Sequence, residues 1–297
     1  MAASNPIRPR PRGEMQDIGG RRLHVVRVGP RDGARPLVVL EAGAFGFSAD
    51  WAVVQKRLAA SGWASIAYDR AGLGLSEPGP APRDGEAIGA DIEALLAKLA
   101  PNGRLILVGH SMAGLHVHRL AVRLRERVAG LVLVDAATPE AMDSRLVSLG
   151  VGQFIGVSRL AAWGAGVGLL RPLAATPLGD RIGLEGEITA EKRWAFADAE
   201  HNAAAAAEVA EWPAAARQAL AAGGLDPEWP VAVILAGPQS SRGGLKMLQA
   251  APAQASRQGV VEHVAGANHA SLLAEPHAEA IVRAVEHVSA ARTRAAA

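Results

Sequence analysis

The succession of elements in this 297-residue chain predicts an α/β fold, a mostly parallel eight-stranded sheet flanked by helices. Three observations lead there. Short runs of branched apolar residues recur, and most are followed by a segment of helical spacing, as in right-handed βαβ units. One run, Leu105–Val108, has four branched apolar residues in succession, as expected of a strand buried on both faces. Strand patterning then stops at Asp135 and resumes only at Val231. The alanine-rich, helical block 136–228 therefore reads as an insertion over the carboxyl edge of the sheet, where such sheets bind ligands.

Taken in order, residues 1–13 are rich in proline and arginine and lack an apolar segment. They are expected to be a disordered lead-in and not a secretory signal. Met15–Ile18 and Leu23–Val28 flank Gly19-Gly20 and predict an antiparallel hairpin. Pro36–Leu40 is the next strand and ends in Glu41-Ala42-Gly43-Ala44-Phe45-Gly46. A helix is expected over Ala49–Ala60, then a strand over Ala64–Tyr68 that runs into Asp69-Arg70-Ala71-Gly72-Leu73-Gly74-Leu75-Ser76. Asp91–Leu99 reads as helical. After Leu105–Val108 comes a helix over about Met112–Arg125, and Gly130–Asp135 is the sixth strand. Val231–Leu235 and Val260–Val264 restore the strand pattern, and Ala278–Val288 closes the chain as an amphipathic helix. This divides the chain into a core of residues 14–135 and 229–297 and a helical cap over residues 136–228.

Composition narrows the functions. A formal charge of +2, with Lys and Arg spread out, is no nucleic-acid footprint. The absence of cysteine excludes disulfides, thiolate catalysis and cysteine metal sites. No His-Glu-x-x-His or comparable spacing occurs, and no phosphate-cradling loop is visible, so neither metal nor organic cofactor is expected. The most apolar run, Leu146–Ala175, is interrupted by Arg159, glycines, Arg171 and Pro172, which makes it a poor transmembrane candidate. A cytoplasmic protein is the default expectation, and nothing in the sequence sets its oligomeric state.

The chemistry centres on Gly109-His110-Ser111-Met112-Ala113-Gly114. Ser111 falls between a buried strand and a helix, on a sharp turn that would hold its hydroxyl above the sheet edge. Such a turn needs small residues two positions to either side, and Gly109 and Ala113 meet that need. The stretch resembles the nucleophile elbow of the α/β-hydrolase superfamily, usually Gly-x-Ser-x-Gly, with Ala113 one methyl away from the common form. The resemblance covers most of the chain outside its middle third.

A serine hydroxyl is a weak nucleophile and needs a base and a group that orients the base. The resemblance implies His269, in Gly266-Ala267-Asn268-His269, as the base, because it lies in the loop after the last strand. The acid is less direct. Many superfamily members carry it after the strand equivalent to Val231–Leu235, which here ends Ala236-Gly237-Pro238-Gln239 without a carboxylate. Asp135, at a strand end that some members use, is the first candidate. Glu41 is the second. The resemblance also implies an oxyanion hole from the backbone N–H groups of Met112 and Ala44, with Phe45 as the rival to Ala44. Asp69-Arg70-Ala71-Gly72 resembles a loop that supports such sites without doing the chemistry.

The insertion carries apolar bulk, and Phe154, Trp163 and Trp194, with Phe45 and His110 from the core, are the candidate substrate-contacting residues. The expected activity is a cofactor-independent serine carboxylesterase acting on an ester of a small or medium apolar acid, its one expected partner. Amides, lactones, thioesters and C–C bonds yield to the same triad, so these stay open. The reading from another class is a ligand-binding protein that keeps the pocket and turns over slowly.

Overall fold

The computed structural model describes residues 10–238 and 243–296. In chain order the elements are β1 (Glu14–Asp17), β2 (Arg22–Val28), β3 (Leu37–Glu41), α1 (Ala52–Ala60), β4 (Ser65–Tyr68), α2 (Gly85–Leu99), β5 (Leu105–His110), α3 (Ala113–Arg123) and β6 (Val128–Val134). They continue with α4 (Arg145–Gly166), α5 (Gly186–Ala197), α6 (Ala199–Ala210), α7 (Trp212–Ala221), β7 (Val231–Ala236), α8 (Gly244–Ala255), β8 (Val260–Val264) and α9 (Glu279–Ala296). The eight strands form one sheet in the order β1-β2-β4-β3-β5-β6-β7-β8. Only the β1/β2 and β2/β4 pairs are antiparallel.

Both faces of the sheet are covered, as a parallel sheet requires. The two-residue alternation decides which side chain goes where. Val38, Leu40, Ile106 and Val108 point to one face and pack with Trp51, Leu58 and the α9 residues Ile281, Val285 and Val288. Leu37, Val39, Leu105 and Leu107 point to the other and meet Ile92 and Leu95 of α2, Leu120 of α3 and Ala250 of α8. The register sets Glu41 opposite Gly109 and His110 opposite Val134. Three strand ends, those of β3, β5 and β6, therefore deliver Glu41, Ser111 and Asp135 to one edge.

Two helices are longer than the periodicity indicates. α2 begins at Gly85 and not near Asp91, because the Asp84 side chain accepts from the amides of Glu86 and Ala87 and caps the first turn. Asp91 is then an interior helix residue, buried and paired with Arg83 at 2.7 Å and with Arg21. α9 continues to Ala296. Between β6 and β7 the described chain is helical and contains no strand. Gly150, Gly152 and Gly156 do not break the Leu146–Ala175 run, but it is helical only to Gly166: α4 spans 22 residues and packs along α6. By length and composition alone α4 could cross a membrane. The lead-in expected over residues 1–13 lies mostly outside the described residues. Arg12, within them, pairs with Glu191 of α5 at 2.6 Å.

Candidate active site

Ser111 sits between β5 and α3 with φ +59°, in the left-handed region that L-residues rarely adopt. Its backbone is pinned on both sides: its N–H donates to Val134 O at 3.1 Å, and its carbonyl accepts from the amide of Ala137 at 2.8 Å. The turn is crowded. A Cβ at Gly114 would stand 2.2 Å from Ala137 O, and a Cβ at Gly43 would stand 2.8 Å from Ser111 Cβ. Glycine at 43 is what allows the loop after β3 to pass against the serine.

Asp135, which follows β6, has φ +43°. Its N–H donates to Ile234 O at 2.7 Å, and its Oδ2 lies 2.7 Å from Nδ1 of His269. Burial alone would raise the pKa of Asp135. The hydrogen bond and the charge of His269 more than offset it and hold the carboxyl below the usual range. The His269 side chain remains half exposed, open to an incoming molecule, while Asp135 is largely covered. Glu41 is committed elsewhere: its Oε1 lies 2.9 Å from Arg70 Nη1 and 3.1 Å from His116 Nδ1, so the second candidate acid has other partners.

His110 turns towards His269. Its Nε2 donates to the carbonyl of His269 at 3.0 Å, the two rings lie 4.5 Å apart, and Trp51 meets the His110 ring edge to face. Burial, reinforced by His269, lowers the His110 pKa to about 3, so the ring is neutral and its Nε2 carries the proton. The side chain expected to touch substrate is thus an anchor for the loop that carries His269.

The loop after β3 has the third unusual backbone, Phe45 at φ +59°. Arg70 donates to the carbonyls of Ala42 at 2.6 Å and Gly43 at 2.9 Å, while Glu208 of α6 and Glu41 hold its guanidinium. From the far side His201 of α6 accepts from the Gly74 amide at 2.9 Å through Nδ1 and donates to Phe45 O at 3.3 Å through Nε2. Burial depresses its pKa to about 3, which fits this neutral tautomer. Among the described residues no acceptor takes the amide N–H of Ala44, Phe45 or Met112. Asp69 supports the same loops, accepting from Ser48 and Leu75 amides and lying 3.0 Å from His24 Nδ1. Local patterning does not show the pairing of Arg70 and His201 with this loop; the resemblance of Asp69-Arg70-Ala71-Gly72 to a supporting loop is the signal the sequence carries.

The three aromatic candidates of the insertion part company. Phe154 meets Phe45 at 6.4 Å and Trp212 at 6.1 Å, next to the loop. Trp194 is buried with Phe47, Ala49 and Leu75. Trp163 stands 60% exposed on the outer side of α4. A cavity of about 700 Å³ opens between the 72–78 loop, α6 and the end of α4, with Trp194, Asp198 and His201 in its wall. None of Ser111, Asp135 and His269 lines it. Among the described residues no cluster of three or more His, Asp or Glu could hold a metal ion.

A family model described as the alpha/beta hydrolase fold matches residues 36–152. A protein named as a carbamate hydrolase in Variovorax paradoxus is 38% identical over 129 residues, 41% of this chain and 46% of the relative. A protein named as a transporter in Hormonema carpetanum is 34% identical over 128 residues, 41% of this chain and 18% of the relative. The chain thus spans less than half the length of these curated relatives. An enol-lactonase from Burkholderia xenovorans superposes with a TM-score of 0.66 at 21% identity, covering 93% of this chain and 99% of that one. At that identity the likeness shows the fold.

Proposed function

We propose that this chain, which has the alpha/beta hydrolase fold and matches that family's model over residues 36–152, carries out a serine-hydrolase reaction on a carboxylic ester with an apolar acyl or alcohol group. The observation that carries this reading is the 2.7 Å bond between His269 Nδ1 and Asp135 beside a serine held at φ +59°.

In this mechanism Ser111 Oγ attacks the ester carbonyl carbon and His269 Nε2 takes the hydroxyl proton. Asp135 accepts from Nδ1–H, fixes the tautomer and stabilises the imidazolium. The N–H groups of Ala44 and Met112 receive the oxyanion of the tetrahedral intermediate. Collapse expels the alkoxide, which takes the proton from His269 Nε2 and leaves as the alcohol, with Ser111 acylated. Water, deprotonated by the same histidine, then releases the acid and restores the serine. Phe154 against Phe45 supplies an apolar wall next to the reacting carbonyl. Residues 136–228 serve as the cap. The relative named as a carbamate hydrolase makes carbamate the second substrate class.

The test is labelling by a fluorophosphonate probe with mass-spectrometric location of the adduct. Labelling of Ser111, abolished by Ser111→Ala, is the expected result. An adduct on Ser76 or Ser271 would overturn the assignment. Extensive dialysis against chelator is expected to leave ester turnover unchanged.

A further inference from the structure

α4 has two apolar faces, and only one of them is used. The inner face packs along α6 and carries buried Val151, Ser158 and Ala165, with Phe154 reaching Phe45. On the opposite side Leu146, Leu149, Val157, Leu160 and Trp163, with Val167 just past the helix end, fall on one face, with an eight-residue gap between Leu149 and Val157, and each is more than half exposed. At 3.6 residues per turn they form one stripe running the length of the helix, roughly 33 Å. A soluble face of that length ordinarily carries charge; this one carries a tryptophan and five aliphatic side chains.

The charge on α4 itself is of one sign. Residues 144–179 contain no Asp or Glu, and Arg145 and Arg159 are exposed on α4 one turn before Leu149 and Trp163, along the same edge of the stripe. An apolar stripe with Trp on it and arginines at its margin is the pattern of a helix lying in the plane of an anionic lipid surface. A second copy of the chain is a poorer match, since residues 144–179 offer no carboxylate to pair with Arg145 and Arg159 across such a contact. Spanning the bilayer is a poorer match too, because the inner face is packed on α6 and would have to be stripped from it.

We propose that the outer face of α4 docks on an anionic lipid surface, with the stripe in the interfacial region and Arg145 and Arg159 at the headgroups. Docked this way, the helix would hold the lipid on one side and, through Phe154, the edge of the catalytic loop on the other. The proposal concerns binding and does not depend on which bond the site cleaves.

Co-sedimentation with vesicles of phosphatidylglycerol and phosphatidylcholine in equal parts, against phosphatidylcholine alone, tests it. The full chain is expected to sediment with the anionic vesicles, less so at high salt. Leu149→Ser with Leu160→Ser should weaken that binding by about tenfold or more. Arg145→Gln and Arg159→Gln should each weaken it by about fivefold and remove the preference for anionic lipid. All these variants should keep the wild-type melting temperature and fluorophosphonate labelling, which separates lost docking from lost folding and from failure of the esterase reading. Wild-type protein that stays in the supernatant with both vesicles would overturn the proposal. So would a concentration-dependent dimer by analytical ultracentrifugation that the double Leu→Ser variant abolishes, which would make a second copy the occupant.

Discussion

Ser111, Phe45 and Asp135 take left-handed backbone angles without being glycine, and they are the only non-glycine residues to do so among those described. Each such angle costs on the order of 1–3 kcal/mol, so the surrounding bonds must enforce it. All three lie in the loops at one edge of the sheet. That convergence points to the same candidate site independently of any motif, and it includes Asp135, whose role the residues around it in sequence leave open. Asp135→Asn keeps the size and removes the charge that orients His269. It is expected to lower ester kcat by about 10⁴-fold with only a modest fall in melting temperature. Glu41→Gln should reverse that balance, because Glu41 pairs with Arg70 and His116 in the interior: a smaller loss of turnover and a larger loss of stability, read by kinetics and thermal denaturation on the same samples. The two buried histidines set an acid limit. His110 and His201 have folded pKa values of about 3 against an unfolded value near 6.5, so below pH 6.5 the unfolded chain gains protons that the folded chain refuses. Stability should therefore decline as pH falls from about 6.5 towards 3, by about 2 kcal/mol per histidine at pH 5. His201→Gln should flatten that slope in a plot of melting temperature against pH, although it lowers the melting temperature at pH 7.

At the scale of elements, α6 is the support of the loop after β3. His201 and Glu208 are seven residues apart, two turns along one face, and both reach that loop, one through the Phe45 carbonyl and one through Arg70. Replacing either by a residue that cannot make its bond leaves Ser111, Asp135 and His269 untouched but frees the segment that bears the Ala44 amide. Glu208→Ala and His201→Ala are expected to lower kcat by about tenfold, less than the 10²–10³ of a deleted oxyanion donor, with KM little changed. A rise in KM at constant kcat would place α6 in substrate binding instead. The strands and the elbow were legible in the sequence because each is a local pattern: a run of branched apolar residues, a turn that tolerates only small neighbours. The contacts of α6 were not, because Arg70 and Glu208 are 138 residues apart and no periodicity links them. The start of α2 was missed for a smaller reason. Its cap, Asp84, precedes Gly85-Glu86-Ala87, a first turn with too little apolar spacing to register.

Over the whole molecule, the helical segment between β6 and β7 packs Trp194 against Phe47, Ala49 and Leu75, while the His269 side chain stays half exposed. That this segment holds no strand could be read from the loss of strand pattern. The direction of its aromatic residues could not, since a tryptophan at helical spacing is equally consistent with core, wall and surface. The fold separates them. Trp194 lies under the segment with Phe47, Ala49 and Leu75, joining α5 to the sheet edge. Phe154 lies at the loop, partly open, against Phe45 and Trp212. Truncating a buried tryptophan leaves a large cavity, so Trp194→Ala should cost about 3–5 kcal/mol and loosen the segment as a unit. Phe154→Ala removes a partly exposed ring and should stay within about 1 kcal/mol of wild type. If the segment shapes the substrate space, the order inverts for selectivity. Phe154→Ala should shift the preferred acyl length across a series of p-nitrophenyl esters, while the Trp194 variant, assayed well below its melting temperature, should lose activity evenly along the series. An even loss from Phe154→Ala with a shifted preference from Trp194→Ala would move the substrate wall to the cavity beside Trp194, away from the face that Phe154 shares with the catalytic loop.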